Sequence, residues 1–426
     1  METPAEAAPV ATKSNTRALI SILLTVFIDL VGIGIIIPII SPLILKNSDG
    51  LLGPEATDQF KNILLGLVLG VYPLGQFFGA PLLGALADRK GRRIVLLLSI
   101  AGAAIGYTFF GIAIELNLLW LMFAARIFQG FMGGNVSVAF ATISDISAPQ
   151  DRAKAFGLVG AAFGLGFVIG PFLGGKLSDP EIYSFFNNST PFWISAILAL
   201  VNALLVYLFL PETSKTFRQT PITLFTGIKN VAKAFQMQNL RTVFAIGFLT
   251  TLGFSFFTSF IQVYLIRKFD FGIKDVANVF ATVGIWTMIT QGGLLRLVKN
   301  RSPFEVLRIS LFTMACGIPL LTTPTDSFYI FCLIPITSIS SGFTNPNLSS
   351  AVSQLARPDE QGEVFGINQS LQALGFAIPP MIGGALANVD IRFPLYAAGV
   401  VVFCAWVLVM YKFGRASQVA RAGVQG

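Results

Sequence analysis

Long apolar runs alternate with short polar connections over almost the whole chain. A bilayer crossing takes about 20 predominantly apolar residues in helical form. On that measure the pattern predicts helices over 18–45, 62–87, 94–114, 118–146, 153–178 and 191–210, then over 241–267, 274–297, 303–323, 328–356, 361–387 and 392–413. The expected fold class is an all-α membrane protein of 12 transmembrane helices. Its expected parts are a polar tail (1–17), a first bundle (18–210), a mixed, basic linker (211–240), a second bundle (241–413) and a second tail (414–426). The first run is too long for the apolar core of a secretory signal and is expected to remain as a helix. Within the linker, ITLFTGIKNVAKAF (222–235) has the spacing of an amphipathic interfacial helix.

Composition agrees with immersion in lipid. Hydrophobic residues make up 54% of the chain and charged residues 12%, against about 25% charged in a soluble domain, and the mean hydropathy is +0.74. The formal charge of +8 raises the question of nucleic acid, which the placement of the charges answers. If the N-terminus is cytoplasmic, 21 of the 29 basic residues fall on the cytoplasmic side, and Lys46, Lys61, Lys176, Arg267, Lys268, Lys274 and Arg392 fall outside, with Arg126 inside a helix. The positive-inside rule then places both termini in the cytoplasm, with the cell inner membrane as the expected location. The basic charge reports orientation, and no nucleic-acid partner is expected.

The absence of histidine excludes histidine triads, imidazole metal sites and a histidine proton relay. Cys316, Cys332 and Cys404 lie singly in apolar segments, so neither a disulfide framework nor a metal site is expected, and packing between helices is their expected role. A titrating group inside the membrane must then be a carboxylate.

An internal repeat organises the chain. Pro149 and Pro358, Gly157 and Gly366, and Gly174-Gly175 and Gly383-Gly384 each stand 209 residues apart. The fourth and fifth helices therefore recur as the tenth and eleventh. Two parallel six-helix halves related by an axis along the membrane normal are a known transporter plan, with the substrate site between them near the midplane.

Between the second and third helices lies GALADRKGRRIVL (84–96), which resembles the loop signature of the major facilitator superfamily. The resemblance implies a cytoplasmic gate made of Gly84, Asp88, Arg89, Gly91, Arg92 and Arg93. Gly84 would allow close helix approach, and the basic cluster would latch the halves in one state. The corresponding LRLVKNRSPFEVL (295–307) lacks the acid and the second glycine, so the latch is expected on one half only. The fifth helix reads GLVGAAFGLGFVIGPFLGG (157–175), whose Gly157, Gly166, Gly170, Pro171, Gly174 and Gly175 resemble the antiporter motif of drug exporters. Small residues let helix backbones meet, and Pro171 removes one helical hydrogen bond, so a tight, bendable gating seam is expected.

RIFQGFMGGNVS (126–137) resembles the Arg-x-x-Gln-Gly element of the same superfamily, and FIDLVGIGIIIPIISP (27–42) resembles the first helix of tetracycline exporters and related drug:proton antiporters. An intramembrane charge costs about 2.5–3.5 kcal/mol on insertion scales, so Arg126 should face a cavity, a carboxylate or backbone carbonyls. Asp29, near mid-membrane, is the first candidate to carry a proton, Arg126 belongs with it, and Asp145 in TISDIS is the second. Tyr72, Gln76, Gln129, Asn135, Gln262, Trp286, Gln291, Asn345 and Gln372 are candidates for a substrate cavity; for any one of them, bonding between helices is an equal explanation.

The resemblance spans nearly the whole chain and implies proton-driven efflux of a drug-like or small organic compound, with no cofactor beyond the proton gradient and no metal. Protons, a small-molecule substrate and the bilayer are the expected partners, and a monomer is the expected state. Against tetracycline itself, the third, eighth and ninth helices lack a mid-span acid and histidine is missing. PETSK (211–215) resembles a sugar-porter element and keeps a proton-coupled uptake symporter as the alternative; a non-transporting receptor or scaffold is the other. No nucleophile–base pair or phosphate loop points to an enzyme.

Overall fold

The computed structural model describes residues 13–47, 50–147, 152–214, 223, 225–357 and 361–413. Among them are fourteen α-helices and no strand: α1 (Lys13–Leu45), α2 (Asp58–Lys90), α3 (Arg92–Glu115), α4 (Leu119–Met132), α5 (Val136–Ile146), α6 (Arg152–Leu177), α7 (Thr190–Phe209), α8 (Thr226–Gln236), α9 (Arg241–Phe269), α10 (Ile273–Gly292), α11 (Pro303–Leu320), α12 (Phe328–Leu355), α13 (Gln361–Val389) and α14 (Phe393–Phe413). Taking α4 and α5 as one interrupted crossing and setting α8 aside as a linker helix leaves twelve segments. Nine of these are long and apolar enough to cross a membrane by length and composition alone, among the described residues.

The element boundaries follow local chemistry. α2 starts earlier than its apolar run because Thr57 caps it, its hydroxyl accepting from the Phe60 N–H at 3.2 Å. It ends where Gly91 adopts φ 102°, a conformation that favours glycine. The helix expected over 118–146 is broken by a 3₁₀ turn at Gly133–Asn135, where two glycines and an asparagine are all poor helix formers. The helix expected over 274–297 stops at Gly292, and the Gly292-Gly293 pair hands over to a 3₁₀ segment, Leu294–Val298. The amphipathic linker helix forms as α8.

The packing repeats with the sequence. α1 packs on α6 and α7 as α9 packs on α13 and α14; α2 packs on α4 as α10 packs on α12; α3 packs on α7 as α11 packs on α14. The halves meet along two matching seams, α2 on α13 and α6 on α10. Helices facing lipid keep large apolar side chains exposed, among them Trp120, Leu204 and Val400. Cys316, Cys332 and Cys404, expected as packing residues, are exposed on α11, α12 and α14; a small thiol there touches no opposing helix closely enough to be covered.

Both seams are tight at the end of the bundle that carries the α1–α2 loop. A Cβ on Gly66 would lie 2.1 Å from the Pro380 carbonyl oxygen, and one on Gly384 would lie 2.4 Å from that of Asn62. In the second seam, Gly175 abuts Ala277 and Gly284 abuts Val168. Ionic and amide bonds close the same end. Lys46 pairs with Asp270 at 2.8 Å, Arg267 with Asp58 at 2.8 Å, and Lys274 with Asp179 and Glu181 at 3.8 and 3.9 Å, while Asn62 donates to Asn388 at 2.9 Å. Three of the seven basic residues assigned to the outer side thus bridge the halves.

Candidate functional site

Glycines bring the helices of the first half close enough to build a polar centre. Gly75 and Gly79 on α2 face Gly130 and Gly134 of the α4–α5 segment, each pair spaced four apart. A Cβ on Gly79 would lie 2.0 Å from the Phe131 carbonyl oxygen, and one on Gly130 would lie 2.0 Å from that of Tyr72. Such small-xxx-small stripes let backbones touch. On the other side of the centre, Gly34 of α1 meets Gly170 and Pro171 of α6, while Gly166 meets Leu30 and Gly174 the Ile35 carbonyl. Gly166, Gly170 and Gly174 therefore line the α1–α6 contact inside one half, and Gly175 alone among the motif's described glycines turns to the other half. The surroundings of Gly157 lie outside the described residues.

At the centre stands Asp29, half-buried on α1. Asn135 Nδ2 donates to Asp29 Oδ2 at 2.9 Å, and Asn202 Nδ2, from α7, donates to Oδ1 at 3.4 Å. Both carboxylate oxygens are thus met by amides, and among the described residues Asp29 has no ion pair. The 3₁₀ turn sets this geometry, because it ends on Asn135. Gln76 holds the turn from α2, donating from Nε2 to the Gly133 carbonyl at 3.0 Å. The Tyr107 hydroxyl packs against Gly32, one helical turn along from Asp29.

Arg126 is 5% exposed, which removes a snorkelling role. Among the described residues it pairs with no carboxylate. Its guanidinium lies over the Tyr72 ring at 4.5 Å from the centroid and donates weakly to Gln129 Oε1 at 3.5 Å; Arg126 Nε and Gln129 Nε2 are buried without partners. A cation over an aromatic face recovers about 2 kcal/mol or more when desolvated. Asp29, Tyr72, Gln76, Arg126, Gln129 and Asn135 are thus brought into one cluster, joined by Asn202 and Tyr107, which the sequence reading does not single out.

The candidates of the second half stand apart. Gln262 is buried and donates to the Thr258 carbonyl of its own helix at 3.3 Å, Trp286 and Gln372 are half-buried, Gln291 has a buried carbonyl oxygen without a partner, and Asn345 is exposed. No hydrogen bond or ion pair among the described residues joins these five to the Asp29 cluster.

The α2–α3 loop forms a second polar site. Arg92 pairs with Asp88 at 2.7 Å and with Asp145 at 3.3 Å, tying the loop to the end of α5. Glu212 accepts from the backbone N–H groups of Arg92 at 2.9 Å and Arg93 at 3.2 Å, so it caps α3 from more than a hundred residues away. Arg93 donates to the Tyr207 carbonyl and lies over its ring. Gly91 is held tightly, with Glu212 in the place of a Cβ. Gly84 is not: a Cβ there meets only Ser137 Oγ at 3.7 Å, an ordinary contact, so close approach at Gly84 is corrected for this conformer. Glu212→Ala is expected to remove the cap at a cost of about 0.5–2 kcal/mol, read as a lower thermal unfolding midpoint in detergent, whereas Gly84→Ala, which adds a better helix former where its Cβ has room, should not lower that midpoint.

An open cavity of about 390 Å³ on the α1–α2 loop face is lined by Tyr264, Lys268, Asp390, Ile391 and Arg392. Its charges are already engaged. Lys268 donates to the Tyr264 hydroxyl and the Pro324 carbonyl, and the Arg392 guanidinium holds the Asp390 carboxyl down at about 2.

The comparison that decides the family is a match of the Major Facilitator Superfamily profile to residues 22–380. The chain belongs to the Major Facilitator Superfamily. It is accordingly a membrane transporter and not an enzyme. The chain is similar to the class C tetracycline resistance protein of Escherichia coli, at 31% identity over 378 residues, covering 88% of this chain and 90% of that one. It is also similar to Multidrug resistance protein 1 of Bacillus subtilis strain 168, at 28% identity over 403 residues and 91% and 96% coverage. Among solved structures, the human organic anion transporter MFSD10 (TETRAN) superposes with a TM-score of 0.74 at 22% identity, covering 93% of this chain and 99% of that one. At that identity the likeness bears on the fold.

Proposed function

We propose that this member of the superfamily is a proton-driven exporter, exchanging protons for a drug-like or other small organic compound by alternating access. The observation that carries this reading is the Asp29 carboxyl, held half-buried within a membrane-spanning helix, met by two amides and, among the described residues, paired with no cation. A carboxylate compensated by an ion pair would have little reason to take up a proton, whereas one held only by amides pays a large cost for its charge in a low-dielectric setting.

By the positive-inside rule the sealed α1–α2 loop face is the outer one, and the conformer faces inward. In the cycle, Asp29 gains a proton when the cavity opens outward, and compound is released. The halves then rock about the α2–α13 and α6–α10 seams, and loss of the proton inward readies the site for the next molecule. Exchange requires that proton and compound favour different occupied states, since a ligand shifts a conformational equilibrium only by its differential affinity. The tetracycline and multidrug resistance relatives support export. The single acid beside an arginine supports a neutral or lipophilic compound over a metal-chelated cation. The chain needs no cofactor for this cycle, works as a monomer in the inner membrane with both termini cytoplasmic, and divides at the 211–240 linker.

The test is transport in everted vesicles under an imposed pH gradient, with tetracycline and a set of lipophilic dyes, comparing wild type with Asp29→Asn. If an imposed gradient moves none of these compounds with the wild type, and an applied solute gradient instead drives proton uptake, the exchange reading gives way to symport.

A further inference from the structure

The α2–α13 seam is continuous at one end of the bundle and occupied by another element at the other. On α2, Asn62, Gly66 and Gly70 share a face and meet α13 directly. Seven residues along α2 from Gly70 stands Phe77, and it meets α8: a Cβ on Gly227 would lie 2.9 Å from both the Phe77 carbonyl oxygen and its ring. On α13, Gly384 and Ala377 meet α2, and Ser370 and Glu363, at successive intervals of seven on the same face, meet α8. Asn230 Nδ2 donates to Ser370 Oγ at 3.0 Å, and Lys233 pairs with Glu363. The stripe of α13 that seals against α2 at the α1–α2 loop face is therefore covered by α8 at the α2–α3 loop face.

We propose that α8 is a removable wedge, which keeps α2 and α13 apart at the α2–α3 loop face and must withdraw before that face can close. Closing would lay the Phe77 face of α2 against the Ser370–Glu363 face of α13, and both are occupied by one short helix. The helix is built to move. Ala234 is buried and Val231 packs on the core, but the polar ties of α8 to α13 among the described residues are one amide–hydroxyl bond and one exposed ion pair, and its outer face presents Phe225, Ile228 and Phe235 at 63%, 52% and 72% exposure. An amphipathic helix of this kind lies in the membrane interface when it leaves the seam. The wedge biases the two-conformer balance through the linker, and its action does not require that Asp29 carry a proton.

The test uses Asn230→Cys and Ser370→Cys together in a full-length chain whose Cys316, Cys332 and Cys404 are serine, in lipid nanodiscs, and reads hydrogen exchange at 50–66 and 267–278. Those segments flank the sealed seams, and exchange there follows the population in which they open. Bridging the two cysteines is expected to slow that exchange at least about tenfold, with recovery on adding reductant, because a fixed wedge forbids the alternative conformer. In the native-cysteine chain, Lys233→Glu is expected to speed it, and adding Glu363→Lys to return it towards wild type. Reductant reversal and the charge swap separate the effect from misfolding. Exchange at both segments that is the same bridged and reduced, or unchanged by Lys233→Glu, overturns the wedge.

Discussion

Asp29→Asn is expected to give a folded, inserted protein that no longer accumulates compound against a pH gradient. The substitution keeps the size of the side chain and one acceptor oxygen, so the bond from Asn135 survives and that from Asn202 is exchanged for a donor facing a donor. Losing one hydrogen bond costs about 1 kcal/mol, which the fold absorbs. What disappears is the difference in proton affinity between the two facing states. Coupling energies of about 1–3 kcal/mol correspond to factors of about 5–150, so gradient-driven accumulation should fall by a factor in that range while downhill exchange persists. Asn202→Ala should fall between wild type and Asp29→Asn, because the carboxyl remains but one oxygen loses its donor. The comparison is made in everted vesicles at equal protein level, by dye accumulation before and after collapse of the gradient. Full-rate accumulation by Asp29→Asn would remove Asp29 from the coupling step.

The membrane fold was legible because lipid leaves so few options. With no water to satisfy the backbone, an apolar run must be helical, and its length then counts the crossings. The repeat anchored by Gly157 and Gly366 likewise has its counterpart in the matched packing of α1–α6 and α9–α13. The 3₁₀ break at Gly133–Asn135 was not legible from hydropathy, since the apolar run continues through it. Nor was the α2–α4 contact, because a glycine marks a place where something comes close without naming its partner.

The candidate site was legible in part for the same reason. Tyr72, Gln76, Arg126, Gln129 and Asn135 stand out as polar residues in apolar surroundings, and they converge on one centre. Asn202 carried the same signal, a lone amide in LALVNALLV, but no motif surrounds it, and only the packing of α7 on α1 brings it to Asp29. Glu212 was read within a sugar-porter resemblance; its contact is with the start of α3, which no local pattern foretells. Arg126, expected to face a cavity, a carboxylate or backbone carbonyls, lies over an aromatic face, because Tyr72 is on the helix brought into backbone contact by the glycine stripe.

Gly66→Leu is expected to abolish transport for the opposite reason from Asp29→Asn, by denying the protein one of its two conformers. The Cβ alone would stand 2.1 Å from the Pro380 carbonyl oxygen, and the obstacle is backbone, which cannot swing aside. Overpacking costs about 1–3 kcal/mol where neighbours can yield, which moves a two-conformer balance by about 5- to 150-fold; here the neighbour cannot yield, so the shift should reach the upper end. The cost falls only on the conformer in which α2 and α13 are sealed, because opening that seam gives the side chain room. The variant should therefore insert at wild-type level and show faster hydrogen exchange at 50–66, with transport lost. Gly292→Leu, where nothing lies within 4 Å of the added Cβ, supplies the control for adding a large residue to a membrane helix. If Gly66→Leu transports and exchanges like wild type, the α2–α13 seam does not open during the cycle, and the rocking of one half on the other must be sought elsewhere.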